Sequence, residues 1–236
     1  MVNRHTALKI RKTHRYLGLF LGIQFLFWTT SGLYFSWTNI DDIHGDHFIN
    51  PDYKPKVFKN LISPNQLAVP QGLKSIELRD IGDTPYYWIN KEELFNAING
   101  NPKSGITETE ALQIAKNYIR KDMKVKSVER IEKVGKHHEY RERLLPAYVI
   151  SYKGNDALKA YVSLEDGRFQ TIRHRGWRWF DFLWMTHTMD YEGRDNFNTT
   201  ILRIFSLIGL MTVLSGFLLW FTSSLSVRKL LRRKNK

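Results

Sequence analysis

Two long runs without a charged side chain, residues 16–40 and 204–227, limit what this chain can fold into more than any other feature. At about 1.5 Å of rise per residue, each run is long enough as a helix to cross ~30 Å of hydrocarbon. A lipid interior offers no water to backbone N–H and C=O groups, and a helix satisfies them within one segment. Transmembrane helices are therefore expected at 16–40 and 201–227. A cleaved leader is the competing reading of 1–37. Its apolar run is too long for one, and no small-x-small cleavage site follows.

The distribution of charge supplies an orientation. The chain has 236 residues and a formal charge of +13, from 36 Lys and Arg against 23 Asp and Glu. Residues 1–37 carry Arg4, Lys9, Arg11, Lys12 and Arg15 with no acid, and residues 201–236 are likewise basic with no acid, so nearly all the excess sits at the two ends. Basic residues flanking the spans (1–15 and 228–236) put both termini in the cytoplasm by the positive-inside rule, with the middle, 41–175, outside. Trp37 and Trp220 then fall near opposite membrane faces. A nucleic-acid binder would concentrate its charge on one folded face, so that class is disfavoured.

Cysteine is absent. Disulfide scaffolds, Cys-ligated zinc, iron–sulfur clusters, a thiol nucleophile and CxxCH haem attachment are excluded with it. No Ser-His-Asp order, phosphate-cradling glycine loop or HExxH appears, so hydrolase chemistry has no support and no catalytic residue is assigned. Whether the chain catalyses any reaction stays open at this level.

Along the first run, His14, Gly18, Leu21, Phe25 and Gly32 share a narrow stripe at 100° per residue, with Gly22 at its edge. Such a stripe suits either a flat ligand or helix association through Gly18-x-x-x-Gly22. The two runs echo each other, with Ser31-Gly32 before Trp37 in one and Ser215-Gly216 before Trp220 in the other.

The middle reads as α+β. Thr107-Glu108-Thr109-Glu110 is a capping box, and the apolar positions after it predict an amphipathic helix over 108–121. Strands are expected at 126–133, 147–152, 159–164 and 168–172, the last two joined through Glu165-Asp166-Gly167. Upstream, Ser63-Pro64 offers a helix start, followed by strands at 74–79, 85–90 and 94–98. The region thus reads as two successive units of a helix and then antiparallel strands.

The unit ITETEALQIAKNYIR…AYVISYKG…LKAYVSLEDGRFQTI resembles a PepSY domain, an amphipathic helix on a small antiparallel sheet. The flanks are similar to PepSY-associated transmembrane (PepSY-TM) proteins. His14-Arg15-Tyr16-Leu17-Gly18-Leu19 followed by Ser31-Gly32 matches the family's opening span, with Thr13 where a leucine is usual. Trp184-Met185-Thr186-His187, then Ser215-Gly216…Trp220, matches its second pattern.

This resemblance implies a bacterial inner-membrane protein with a periplasmic domain. Larger members have four or more spans and include membrane reductases that bind b-type haem and reduce ferric siderophores. Other PepSY-containing proteins are implicated in inhibiting or chaperoning extracellular peptidases. The first line implies an electron-transfer component. The second implies a tethered binding or regulatory module, or a cofactor-free accessory subunit of a membrane complex. Membrane lipid, a second copy of the chain and a periplasmic protein are the partners these readings call for.

For haem, the resemblance and the glycine stripe single out His14, with Gly18 and Gly32, and His187. Each histidine also has a plainer reading, His14 as an interfacial residue among basic neighbours and His187 as part of an interfacial aromatic segment, 176–200. At opposite membrane edges the two cannot share one iron. Two centres, or a dimer pairing each histidine with its copy, are then needed. His44 and His47, within Asp41-Asp42-Ile43-His44-Gly45-Asp46-His47, are candidate ligands for a divalent cation, with a polar turn as the alternative.

Overall fold

The computed structural model of the protein describes residues 4–224. The expected basic segment 228–236 and the end of the expected second span, 225–227, lie outside the described residues. In chain order the elements are α1 (Arg4–Trp37), α2 (Ile40–His44), β1 (Ile76–Ile81), β2 (Thr84–Ile89), β3 (Glu93–Asn96), β4 (Pro102–Lys103) and α3 (Glu108–Tyr118). There follow β5 (Val125–Ile131), β6 (Ala147–Tyr152), β7 (Lys159–Ser163), β8 (Phe169–Arg173), α4 (Arg175–Thr188) and α5 (Thr200–Ser223). They form two compact units, one of the residues up to Trp37 with those from Asp181 onward, the other Thr38–Phe180.

In the helical unit, α1 packs along α5. Two stretches, Leu8–Trp37 and Thr200–Phe221, are long and apolar enough to cross a membrane. Helix α1 begins well before residue 16, so the basic N-terminal stretch continues the same helix. Leu19 and Ile23 on α1 and Phe217 on α5 are 76%, 69% and 65% exposed, a surface that lipid would cover and water would not. Between the helices, Phe20 stacks on Phe205 with centroids 5.6 Å apart, and Leu21 is buried. Thr199 caps α5 by accepting from Leu202 N–H at 3.2 Å.

The sheet unit holds two four-stranded antiparallel meanders, ordered β1-β2-β3-β4 and β5-β6-β7-β8. The expected repeat is present, but its two helices are unequal. Before β5 stands α3, whose capping box forms as the sequence predicts, with Thr107 N–H donating to Glu110 Oε2 at 2.7 Å and Glu110 N–H to Thr107 Oγ1 at 3.3 Å. Before β1 stands only a 3₁₀ turn, Pro64–Gln66, because no apolar period follows its proline.

Alternation along the strands builds the cores. Trp88 and Leu94, paired across β2 and β3, join Ile81, α3's Ala111, Ile114 and Ala115, and Ile150, Ala160 and Val162 of the second sheet in one cluster. On the opposite face of the first sheet, Tyr87, Ile89 and Phe95 pack with Leu67. On the opposite face of the second, Val149 packs with Tyr140 and Tyr161, whose rings stack 4.5 Å apart.

Two polar features tie this unit together. Asp166, in the β7–β8 turn and 1% exposed, pairs with Arg79 of β1 at 3.1 Å. Glu139 accepts from Arg178 Nε at 2.6 Å and from the Tyr161 hydroxyl at 2.7 Å, with Lys159 Nζ at 3.5 Å. Burial works against the Glu139 charge, but these partners outweigh it and hold the carboxyl below the ordinary glutamate range.

Candidate functional site

The histidines singled out by the sequence both lie in the helical unit, and each rests on a serine of another helix. His14, near the start of α1, has Nδ1 2.8 Å from Ser215 Oγ of α5. Its ring lies over Gly216, where a Cβ would stand 3.2 Å from His14 Cε1. A larger side chain there would push the imidazole away, so this glycine sets how closely the ring approaches α5.

His187, in the last turn of α4, has Nδ1 2.7 Å from Ser31 Oγ of α1. Phe35 closes on the ring edge-on at 5.5 Å, and Trp184 packs on Phe35 and Phe197 at 5.7 and 5.5 Å. The backbone here is held as well. Trp28 Nε1–H donates to His187 O at 2.8 Å, and Gln24 Nε2 donates to Thr186 O at 3.1 Å. These side chains satisfy carbonyls that a helix C-terminus otherwise leaves without partners. After the helix, Asp190 gathers the N–H groups of Glu192, Gly193 and Asn196 at 3.2, 3.1 and 2.8 Å, which shapes the loop leading to α5.

Ser31 lies seventeen residues beyond His14 on one helix, so the two histidine positions are separated by about 25 Å along α1. One iron cannot take both from the same chain.

The glycine stripe of α1 is used differently from the packing alternative. Beside Gly18, Gly22 and Gly32 an added Cβ would meet nothing within 4 Å, so these positions are flat and open. The close approach between the helices uses glycines of α5 instead. Gly209 receives Phe25, at 3.3 Å from a Cβ built there, and Gly216 receives His14.

Each imidazole is engaged through one nitrogen, so its other nitrogen is a donor of the kind that could take the iron of a b-type haem, and beside Gly18 and Gly32, which share the His14 stripe, an added Cβ would meet nothing within 4 Å.

The other histidines are placed outside this arrangement. Asp41–His47 folds as α2, capped by Asn39 and ended by Gly45 at φ +86°, followed by a 3₁₀ turn. His44 is exposed, and His47 faces Asp42 at 3.7 Å. Among the described residues no group of three or more His, Asp or Glu side chains is placed to hold a metal ion. His174 is buried. Its Nε2 lies 3.1 Å from Ile43 O, and its Nδ1 accepts from Gly176 N–H at 3.2 Å. Burial pushes its pKa down, and the ring is a neutral structural link within the sheet unit.

The residues that sequence reasoning missed are the supports, Ser31 and Ser215 as histidine partners and Trp28 and Gln24 as carbonyl donors. The repeated Ser-Gly step ahead of a tryptophan was the available signal for the two serines.

No curated protein and no solved structure matches the chain. A family model does, that of the PepSY-associated TM region, and it matches residues 2–223. With that model covering nearly the whole chain and two helices able to cross a bilayer, this is a membrane protein of the PepSY-associated TM region family.

Proposed function

We propose that this protein is a b-type haem-binding electron-transfer component of the bacterial inner membrane, related to periplasmic ferric-siderophore reductases. In this reading both termini are cytoplasmic and the sheet unit is periplasmic. The observation that carries it is the matched placement of His14 and His187, each held against an apolar helix through one ring nitrogen, beside a glycine stripe with open faces. His14 and His187 would supply imidazole ligands, with Gly18 and Gly32 lining the approach. Haem supplies one-electron chemistry at its iron. The chain binds and orients it, while the apolar helices exclude water, and the two levels on α1 call for separate centres, one toward each end of the helix.

Full-length protein purified in detergent tests this by its spectrum before and after dithionite, with pyridine haemochrome quantitation. A reduced b-type α-band near stoichiometric haem is expected, with His14→Ala and His187→Ala each losing one centre. Substoichiometric haem after haem-replete expression, or unchanged content in both variants, overturns it.

A second reading is a periplasmic binding or regulatory module, and a specific observation favours it. Strand β1 ends its sheet with Ile76 and Leu78 exposed, beside a groove of about 380 Å³ lined by Tyr53, Lys56, Leu78, Arg79 and Phe169. A free strand edge next to a groove can take an added peptide strand. Capture of a defined periplasmic partner by the full chain, retained by the double histidine variant and lost on Leu78→Pro, separates this reading from the first.

A further inference from the structure

Ser31 and Ser215 each carry a single hydroxyl hydrogen. Ser215 Oγ lies 2.7 Å from Thr212 O, and Ser31 Oγ lies 2.6 Å from Phe27 O. A carbonyl oxygen only accepts, so each hydroxyl hydrogen is directed into its own helix. Toward the histidine the serine oxygen has only lone pairs to offer, and the proton in the bond to the ring must come from Nδ1. The hydrogen-bond network thereby assigns the tautomer of both rings.

From this geometry we infer that Ser215 and Ser31 are positioning residues that hold His14 and His187 as Nδ1–H tautomers, with the Nε2 lone pair free to ligate. The inference rests on the haem reading for its purpose but not for its geometry. The same device occurs twice with the roles of the helices exchanged. A histidine of α1 sits on a serine of α5, and a histidine of α4 sits on a serine of α1. In each case glycine follows the serine, but only Gly216 has another side chain against it, so the shared element is the hydroxyl.

An imidazole can coordinate iron through Nε2 only if that nitrogen is unprotonated, and a second hydrogen bond at Nδ1 fixes both the tautomer and the ring plane. A hydroxyl that donates to a carbonyl is also a stronger acceptor, because successive hydrogen bonds polarise one another. Accepting from Nδ1–H draws that proton partly away, makes the ring a stronger electron donor and favours ferric over ferrous iron. Loss of either serine hydroxyl should therefore raise the midpoint potential of its own centre and leave the other unchanged. Restoring a hydroxyl should restore the potential.

The test uses full-length protein in detergent with ¹⁵N-labelled histidine, at a pH where the rings are neutral, with His14→Ala and His187→Ala assigning the signals. Both rings should show a protonated Nδ1 and an unprotonated Nε2 without any haem. Ser215→Ala should abolish that signature for His14 alone, Ser31→Ala for His187 alone, and Ser215→Thr should keep it. In haem-loaded protein, each Ser→Ala should raise one midpoint potential by about a tenfold shift in the ferrous-to-ferric ratio, ~59 mV for one electron. Protonation on Nε2 in the wild type, or an unchanged signature in the alanine variants, overturns the serine assignment. Unchanged potentials in correctly loaded variants overturn the tuning role. A wild type that shows the expected tautomers but takes no haem overturns the haem reading and leaves the serine assignment standing.

Discussion

Ser31 Oγ lies 2.7 Å from His187 Nδ1, although 156 residues separate them in the chain. Three consecutive inward positions of α1, Gln24, Trp28 and Ser31, reach the end of α4, two of them holding its carbonyls and one its imidazole. The last turn of α4 is thus held by side chains of the first helix, and His187 is oriented from both its backbone and its ring.

Trp28→Phe keeps an aromatic ring, though a smaller one, and removes the N–H that donates to His187 O. A loss of about 1 kcal/mol is expected in the stability of the full chain in detergent, the net worth of one such bond. In haem-loaded protein the change should perturb only the centre at His187. Equal perturbation at His14, or none at either, would contradict the placement.

Gly18→Leu and Gly32→Leu test whether a ligand uses the open stripe. Neither position has anything within 4 Å of an added Cβ, so the first side-chain atom meets no neighbour. Replacing a mid-helix glycine also gains helix propensity, so thermal stability should not fall below wild type. Haem content by pyridine haemochrome should nonetheless fall severalfold. Full haem content in both variants would remove these glycines from the binding surface.

Acid should weaken the sheet unit through Glu139. Its carboxyl is held below the ordinary glutamate value of 4.5, so its stabilisation is complete above that pH and is lost as the pH falls below it. Glu139→Gln should cost about 2 kcal/mol at pH 7, because charge-assisted bonds with Arg178 and Tyr161 are weakened. The difference from wild type should shrink below pH 4.5 when unfolding is followed by tryptophan fluorescence. A gap that is constant with pH would exclude ionised Glu139 as its source.

Gly167→Ala should destabilise the β7–β8 turn by about 2 kcal/mol. The residue sits at φ +66°, where a side chain is strained, and a Cβ would stand 2.9 Å from Ile81 Cγ1. Faster amide hydrogen exchange should spread from this turn into β7 and β8, since the neighbouring Asp166 anchors both the turn and Arg79. Unchanged exchange there would show that the turn tolerates the methyl group.

Much of the fold was legible. Strands β6 to β8 fall within a residue or two of their expected bounds, because apolar alternation and an Asp-Gly turn are local signals. Helix α3 starts where its capping box begins. Strand β4 was not foreseen, since two residues, Pro102 and Lys103, carry no pattern and are defined by pairing with Phe95 and Leu94. The segment after Arg175 was expected as an interfacial aromatic stretch over 176–200. It divides into the helix α4 and an Asp190-centred loop, because Asp190 collects backbone N–H groups that would otherwise continue a helix.

For the candidate site, the two apolar helices, His14 near the start of the first run, His187 ahead of the second and the glycine stripe of the first are all written in the sequence. Those properties belong to single segments, where length, the absence of charge and a 3.6-residue period act locally. It takes the packed helices to show that Gly209 and Gly216 carry the helix contact while Gly18, Gly22 and Gly32 stay open, and that Ser215 meets His14 while Ser31 meets His187. A hydrogen bond needs two atoms within about 3 Å. Which atoms meet depends on how one helix is rotated against another, and no single segment encodes that rotation.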